Sequence, residues 1–266
     1  MRQEVLYKIV HITDIHLFAD ANRSLLGVKT QDSFESLINH LHKEKSKPDF
    51  MIISGDLSQD GSEESYHRLA YLLDVLKVPI YCTPGNHDNR DMMEKIYPLC
   101  SLSLQNHILL KEWQLILLDS RKQGRVEGFL AETELHFLED CLVRYPDHQA
   151  IIFMHHHPVK TGSAWLDNIG LENAEIFWQR LKNHLNVHAV FFGHVHQTCE
   201  AQKNGISYYS TPSTCIQFQK NSDQFALTKL PPSYRAIQLC ENKQLLTTVR
   251  SLTEYIGEFD PNAKGY

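Results

Sequence analysis

Ala150-Ile151-Ile152-Phe153-Met154-His155-His156-His157 is a continuous apolar run that stops at three histidines. A run this short, without polar alternation, predicts a strand buried on both faces. The histidines then sit at its carboxyl end. Four other patches repeat the arrangement: residues 6–13 run into Asp14-Ile15-His16, Phe50–Ser54 into Gly55-Asp56, residues 79–83 into Gly85-Asn86-His87-Asp88, and Val187–Phe192 into Gly193-His194-Val195-His196. An open α/β sheet gathers functional groups beyond the carboxyl ends of its strands. Five such ends predict one shared crevice.

The intervening segments read as helices. Phe34, Leu37, Ile38 and Leu41 recur at helical spacing behind Asp32, the expected cap. Leu69, Leu72, Leu73 and Leu76 form a second stripe after Ser62, and Glu132–Arg144 and residues 173–183 supply two more helices. Strand and helix alternate as far as Phe192, which predicts an α/β fold with a largely parallel first sheet. Residues 107–118 read as a hairpin turning near Lys111-Glu112. Asn204-Gly205 is a two-residue hairpin turn, and residues 234–239 with 245–249 read as a further hairpin. A second, antiparallel sheet is expected to take up these C-terminal strands.

The 266 residues, 42% hydrophobic and 22% charged, are enough for a large core and contain no linker-like tract. One domain over residues 1–266 is expected, with 219–266 a C-terminal extension that finishes the second sheet. The N-terminus is too polar for a secretory leader, and no apolar run approaches the roughly 18 residues of a membrane helix. A cytoplasmic protein with no membrane partner is expected. Six cysteines without a CxxC pair read as reduced thiols. A net charge of −6 argues against a broad nucleic-acid footprint.

Of 16 histidines, seven (His16, His87, His155, His156, His157, His194 and His196) lie in the patches. Asp14 with His16, and His194 with His196, are spaced to point to one side of an extended strand end. Each pair can share a metal ion. Asp56 adds a carboxylate able to bridge two ions, and Asn86 adds a neutral oxygen. Oxygen and imidazole donors without thiolate suit Mn, Fe or Zn. A lone Asp-x-His or Gly-Asp is commonplace; five patches in order at strand ends are not.

This order of Asp-x-His, Gly-Asp, Gly-Asn-His-Asp, strand-ending His and Gly-His-x-His resembles the calcineurin-like metallophosphoesterase superfamily. Leu25-Leu26-Gly27-Val28, His155-His156-His157-Pro158, Trp165-Leu166-Asp167 and Thr211-Pro212-Ser213-Thr214-Cys215 are further similar to the bacterial class III 3′,5′-cyclic AMP phosphodiesterases. The resemblance implies a four-layer α-β-β-α sandwich of two packed mixed sheets flanked by helices. It implies two divalent ions, Fe2+ or Mn2+: one held by Asp14, His16, Asp56 and His196, the other by Asp56, Asn86, His155 and His194. His155 is taken from the triple histidine because it directly ends the strand. His87 would be the non-ligand histidine that protonates the leaving oxygen, and His16, Asp56, Asn86, His87 and His196 would meet the phosphate.

The implied activity is hydrolysis of 3′,5′-cyclic AMP to 5′-AMP through a metal-bridged hydroxide, with a small cyclic nucleotide as the partner of a monomer or homodimer. Gln59-Asp60-Gly61 replaces the Asp-Arg-Gly of the superfamily's protein phosphatases, so their phosphate-gripping arginine is missing. That favours a diester. The carboxylate that orients the catalytic histidine of those phosphatases also has no match. Trp165 and Phe18 are candidate purine contacts, with core packing the plainer role. A broad-specificity phosphodiesterase acting on 2′,3′-cyclic nucleotides or aryl diesters, a nuclease, and a non-catalytic scaffold are the competing readings.

Overall fold

Odd and even residues of the central strands face two different apolar layers. In β1 (Val5–Ile12) and β2 (Phe50–Ser54), Val10, Ile12, Met51 and Ile53 pack under helices, whereas Ile9, Phe50 and Ile52 face a second sheet. In β7 (Gln149–Met154) and β8 (Val187–Phe192), Ile152, Met154, Val190 and Phe192 meet helices, while Ile151, Phe153, Ala189 and Phe191 face inward between the sheets. The result is three apolar interfaces stacked in four layers. Truncating an inward side chain such as Phe153 to Ala would cost about 3–5 kcal/mol.

The computed structural model describes residues 4–253, 257–260, 263 and 265. The other strands of the two sheets are β3 (Ile80–Thr83), β4 (Leu102–Ser103), β5 (His107–Leu109), β6 (Trp113–Leu117), β9 (Glu200–Lys203), β10 (Ile206–Ser210), β11 (Ser233–Cys240) and β12 (Leu245–Ser251). The first sheet runs β12-β11-β1-β2-β3-β4 and the second β9-β10-β8-β7-β6-β5, six strands each. Both are mixed. Neighbours among β1 to β4 pair parallel, with β11 antiparallel to β1. Likewise β6, β7, β8 and β10 pair parallel, with β5 and β9 antiparallel at the edges. Helices α1 (Thr30–Lys43), α2 (Glu63–Leu73) and α3 (Arg90–Ile96) cover the first sheet. Helices α4 (Glu132–Arg144) and α6 (Ala174–Leu181) cover the second, α5 (Ala164–Asp167) being a single short turn.

The strands therefore do not divide as the alternation of elements suggested. The 149–154 and 187–192 strands belong to the second sheet, and the 233–251 hairpin completes the first by pairing with β1 rather than finishing the second. A continuous apolar run reports burial on both faces. It does not distinguish helices on both sides from a helix on one side and a sheet on the other. Of the C-terminal extension, residues 254–256, 261, 262, 264 and 266 lie outside the described residues. Helix α1 also starts earlier than expected: Lys29 is its cap and Asp32 sits inside the first turn, where its charge complements the helix dipole. Among the described residues no helix is long and apolar enough to cross a membrane.

Two polar side chains tie the sheets together beneath the strand ends. Arg235 of β11 is fully buried and donates to Ser210 O (2.7 Å) and Glu200 Oε1 (2.9 Å) at the edge of the other sheet. His11 of β1 lies edge-on to Phe153 at 5.1 Å, with its ring nitrogens 2.7 Å from Ser54 Oγ and 2.7 Å from Thr211 Oγ1. Burial, reinforced by the charge of Arg235, pushes the His11 pKa down to about 3. The unfolded chain binds a proton at His11 near pH 6.5 and the folded chain does not until about 3, so this group's stabilisation is lost as pH falls through that window. Denaturant melts of metal-free protein will show a shallower loss of stability between pH 6.5 and 4 for His11→Asn than for the parent; equal slopes would remove His11 from the account.

Candidate metal centre

Five of the strand-end residues adopt left-handed backbone conformations. Asp14 (φ 56°), His16 (55°), Asp56 (51°), His194 (66°) and His196 (44°) all lie in this region, which costs a non-glycine residue about 1–3 kcal/mol. The expected extended ends are therefore not what aims these side chains. Hydrogen bonds hold the strained turns against one another: Asp14 N to Gly55 O at 3.0 Å, His16 N to Asp56 O at 2.9 Å, and Gly193 N to His155 O at 3.0 Å. Ser213 Oγ donates to Asp14 O at 2.8 Å, and His194 N donates to Asp14 Oδ2 at 3.0 Å. Glycine is required where the turns meet. A Cβ on Gly193 would fall 2.0 Å from Thr13 Oγ1, and one on Gly55 (φ +94°) would fall 2.3 Å from His155 Nδ1.

The turns bring the predicted residues into one buried cluster with two adjoining halves. In one, His196 Nε2 lies 3.2 Å from Asp14 Oδ1 and 3.3 Å from His16 Nε2. In the other, His155 Nε2 lies 3.1 Å from Asn86 Oδ1 and 3.1 Å from His194 Nδ1. Asp56 Oδ2 sits between them, 3.2 Å from His155 Nε2 and 3.8 Å from His16 Nε2. His194 and His196 thus serve different halves rather than projecting together. Asp14, His16, Asp56, His155, His194 and His196 are buried; Asn86 and His87 are half-buried and form the open side.

The hydrogen bonds behind the cluster determine which atoms face into it. A backbone carbonyl only accepts, so His155 Nδ1 donates to Ser54 O (3.0 Å), His196 Nδ1 to Ile216 O (2.8 Å) and His194 Nε2 to Ile169 O (3.0 Å). In the neutral rings, His155 Nε2, His196 Nε2 and His194 Nδ1 then present lone pairs. These lone pairs face carboxylate oxygens, an amide oxygen and one another. Asp56 Oδ2 is buried without a hydrogen-bond donor. Acceptors opposed to acceptors at about 3 Å need a cation between them, and second-sphere carbonyls on ligand histidines are the usual arrangement at metal sites. The donor set fits two divalent ions of the oxygen- and imidazole-binding kind.

The triple histidine separates cleanly. His155 faces the cluster. His156 also lies within ligand range of His155 and His194, but both its ring nitrogens are engaged, Nε2 with Val126 O at 3.1 Å and Nδ1 with Ser120 Oγ at 2.8 Å. His157 is buried with its ring parallel to that of His194 at 5.7 Å. His87 also lies within ligand range of His16 and Asp56, on the open side of the cluster; its backbone N–H donates to Asp56 Oδ1 (3.0 Å) and its Nδ1 to Gln59 O (3.2 Å). A carbonyl thus orients this ring where the protein phosphatases have a carboxylate. Phe18 is core, and Trp165 packs edge-on to Phe218, which stacks on His196 at 4.2 Å.

Several supporting groups carry roles that the sequence does not announce. Asp88 accepts from Gly85 N (2.8 Å), Ser58 N (3.0 Å) and Tyr66 Oη (3.0 Å), locking the Asn86-His87 loop onto the Asp56 loop. Burial, with the nearby Asp56, raises its pKa to about 6. Ser120 turns His156 away, and Ser213 grips Asp14. Serines leave no sequence signal for such roles, although Ser213 sits in the quoted Thr211–Cys215 stretch.

Electrostatics inside the cluster favour positive charge beside the two carboxylates. Burial opposes ionisation of Asp56, yet His155 and then His87 outweigh it and hold the carboxyl well below its ordinary value. Burial likewise opposes ionisation of Asp14, and His196 overcomes it. At His155 burial disfavours the proton, but Asp56 prevails and raises the pKa to about 9. Without a metal ion, a proton on His155 performs the cation's task.

Comparison with known proteins gives the family. Residues 7–198 match the model of the calcineurin-like phosphoesterase family, and the chain belongs to that family. It is 38% identical over 262 residues to the 3′,5′-cyclic adenosine monophosphate phosphodiesterase CpdA of Vibrio vulnificus, covering 97% of this chain and 95% of that protein. It is 35% identical to CpdA of Haemophilus influenzae, with 98% and 94% covered. A dimetal phosphatase from Danio rerio shares the fold at a TM-score of 0.64 and 16% identity, covering 92% of this chain and 99% of that one. So does GAP50, an anchor in the inner membrane complex of Plasmodium, at 0.64 and 12% with 98% and 90% covered.

Metal binding should displace the His155 proton, because the ring cannot hold both on Nε2. Calorimetric titration of metal-free protein with Mn2+ at pH 7, in buffers of different ionisation enthalpy, will report release of about one proton per protein. Heats independent of the buffer would contradict the assignment of His155.

Proposed function

We propose that this chain is a metal-dependent phosphodiesterase that hydrolyses 3′,5′-cyclic AMP to 5′-AMP. The observation that carries the reading is the pair of acceptor clusters joined at Asp56, with His87 and Asn86 on the open side. Relatives named as cyclic AMP phosphodiesterases, 33–38% identical over nearly the whole chain, support the substrate. Asp14, His16, Asp56 and His196 would hold one ion, and Asp56, Asn86, His155 and His194 the other; Fe2+ or Mn2+ suits this donor set. Such a pair, when bound, activates water and neutralises phosphoryl charge.

The chain's own residues supply the rest. Two divalent ions set against the carboxylates of Asp14 and Asp56 leave the site positive, which attracts a phosphodiester monoanion. His16, Asp56, Asn86, His87 and His196 surround the place where the phosphate would lie. Hydrolysis breaks the P–O3′ bond, and the departing oxygen needs a proton. With Nδ1–H donated to Gln59 O, the imidazolium form of His87 carries that proton on Nε2. All six cysteines are free, in keeping with work in a reducing, cytoplasmic compartment.

Chelation should abolish cyclic AMP hydrolysis and Mn2+ or Fe2+ should restore it. His87→Ala should keep the bound metal while lowering kcat by about 10²–10⁴, measured alongside metal content by plasma emission. Loss of metal in this variant would make His87 a ligand, and chelator-insensitive turnover would contradict the reading altogether.

A further inference from the structure

The Asn86 side chain belongs to two places at once. Its Oδ1 faces His155 Nε2 at 3.1 Å, and the residue also lines a cavity of about 580 Å³ shared with Asn89, Arg90, Arg121, Lys122 and Gln123. Small-molecule sites occupy roughly 300–1,000 Å³. The half-buried Asn86 and His87 are the side from which a phosphate would arrive, so the organic part of a diester would extend over this cavity. Resting on the phosphodiesterase reading, we propose that the cavity is the nucleoside subsite and takes the neutral base and ribose of the substrate.

The cavity is rich in cations, yet each is already matched. Arg121 grips Asp119 through Nε (3.0 Å) and Nη2 (2.7 Å), Lys122 pairs with Glu172 at 2.7 Å, and Arg90 pairs with Glu94 at 2.7 Å. A wall so compensated has little to offer a second phosphate. It suits a neutral, hydrogen-bonding group. Arg121 Nη1 also donates to Asp88 O at 3.3 Å, so its guanidinium is held beside the Asn86-His87 loop from two directions. A planar guanidinium fixed in this way can stack on a base. The amide of Gln123 carries both a donor and an acceptor, which a purine edge requires, and Asn89, whose Oδ1 caps α3 by accepting from Asp91 N (3.1 Å) and Met92 N (3.3 Å), adds its amide donor.

Among the described residues a second cavity reaches the cluster beside His196 and is smaller, at about 270 Å³. Two of its amides are engaged internally: Gln197 Nε2 donates to Gln219 O (3.1 Å) and Gln217 Nε2 to Ser213 O (2.7 Å). His196 contributes there a ring already stacked on Phe218.

The test compares two cavity-filling variants of the metal-loaded full chain, Gln123→Trp and Thr228→Trp, the second in the cavity beside His196. For each, kcat/KM is measured on cyclic AMP and on methyl p-nitrophenyl phosphate, a diester without a base. Gln123→Trp should lower the cyclic AMP to base-free ratio about tenfold or more, chiefly through KM, and Thr228→Trp should leave it unchanged. An unchanged ratio in Gln123→Trp, or a fall in Thr228→Trp instead, overturns the subsite alone. A parent protein that cleaves the base-free diester but not cyclic AMP overturns the functional reading, and the subsite with it.

Discussion

Lone pairs aimed at lone pairs are the constraint around which this molecule is arranged. Three backbone carbonyls, those of Ser54, Ile216 and Ile169, fix the tautomers of His155, His196 and His194. They direct the remaining ring nitrogens at Asp14, Asp56 and Asn86. Buried acceptors without a donor are costly, and buried unpaired carboxylates more so. A cation relieves this, whether a proton on His155 or a divalent ion. Stability and function consequently meet in the same atoms.

The scaffold is built to bear the strain. Five site residues stand in left-handed conformations, which aspartate and histidine visit more readily than most side chains but still at a cost. They persist because the ends of β1, β2, β7 and β8 are buried side by side, with the His11 and Arg235 contacts crossing between the sheets beneath them. Two stiff sheets presenting their carboxyl ends together give a cluster whose members come from far apart in the chain. Asp88 and Ser213 then hold the two loops that carry Asn86 and Asp14.

Much of this was legible in the sequence. The strands Phe50–Ser54 and Val187–Phe192 and the helix Glu132–Arg144 have the bounds expected of them, because apolar runs and helical stripes report burial directly. The convergence of the Asp14, Asp56, Asn86, His155 and His194 patches follows from strand polarity. The division of strands between sheets was not legible, since a strand covered by a sheet and one covered by a helix show the same apolar residues. Nor was the left-handed backbone: Asp14-x-His16 reads as an extended end, and only the contacts with Gly55, Asp56 and Ser213 reveal the turn. The choice among His155, His156 and His157 depends on Ser120 and Val126, residues with no metal-binding character of their own.

The most direct test is anomalous diffraction from crystals grown with Mn2+. The account requires two peaks about 3.5–4 Å apart, one among Asp14, His16 and His196 and one among Asn86, His155 and His194, with Asp56 touching both. A single peak, or an ion coordinated by His156 in place of His155, would contradict it.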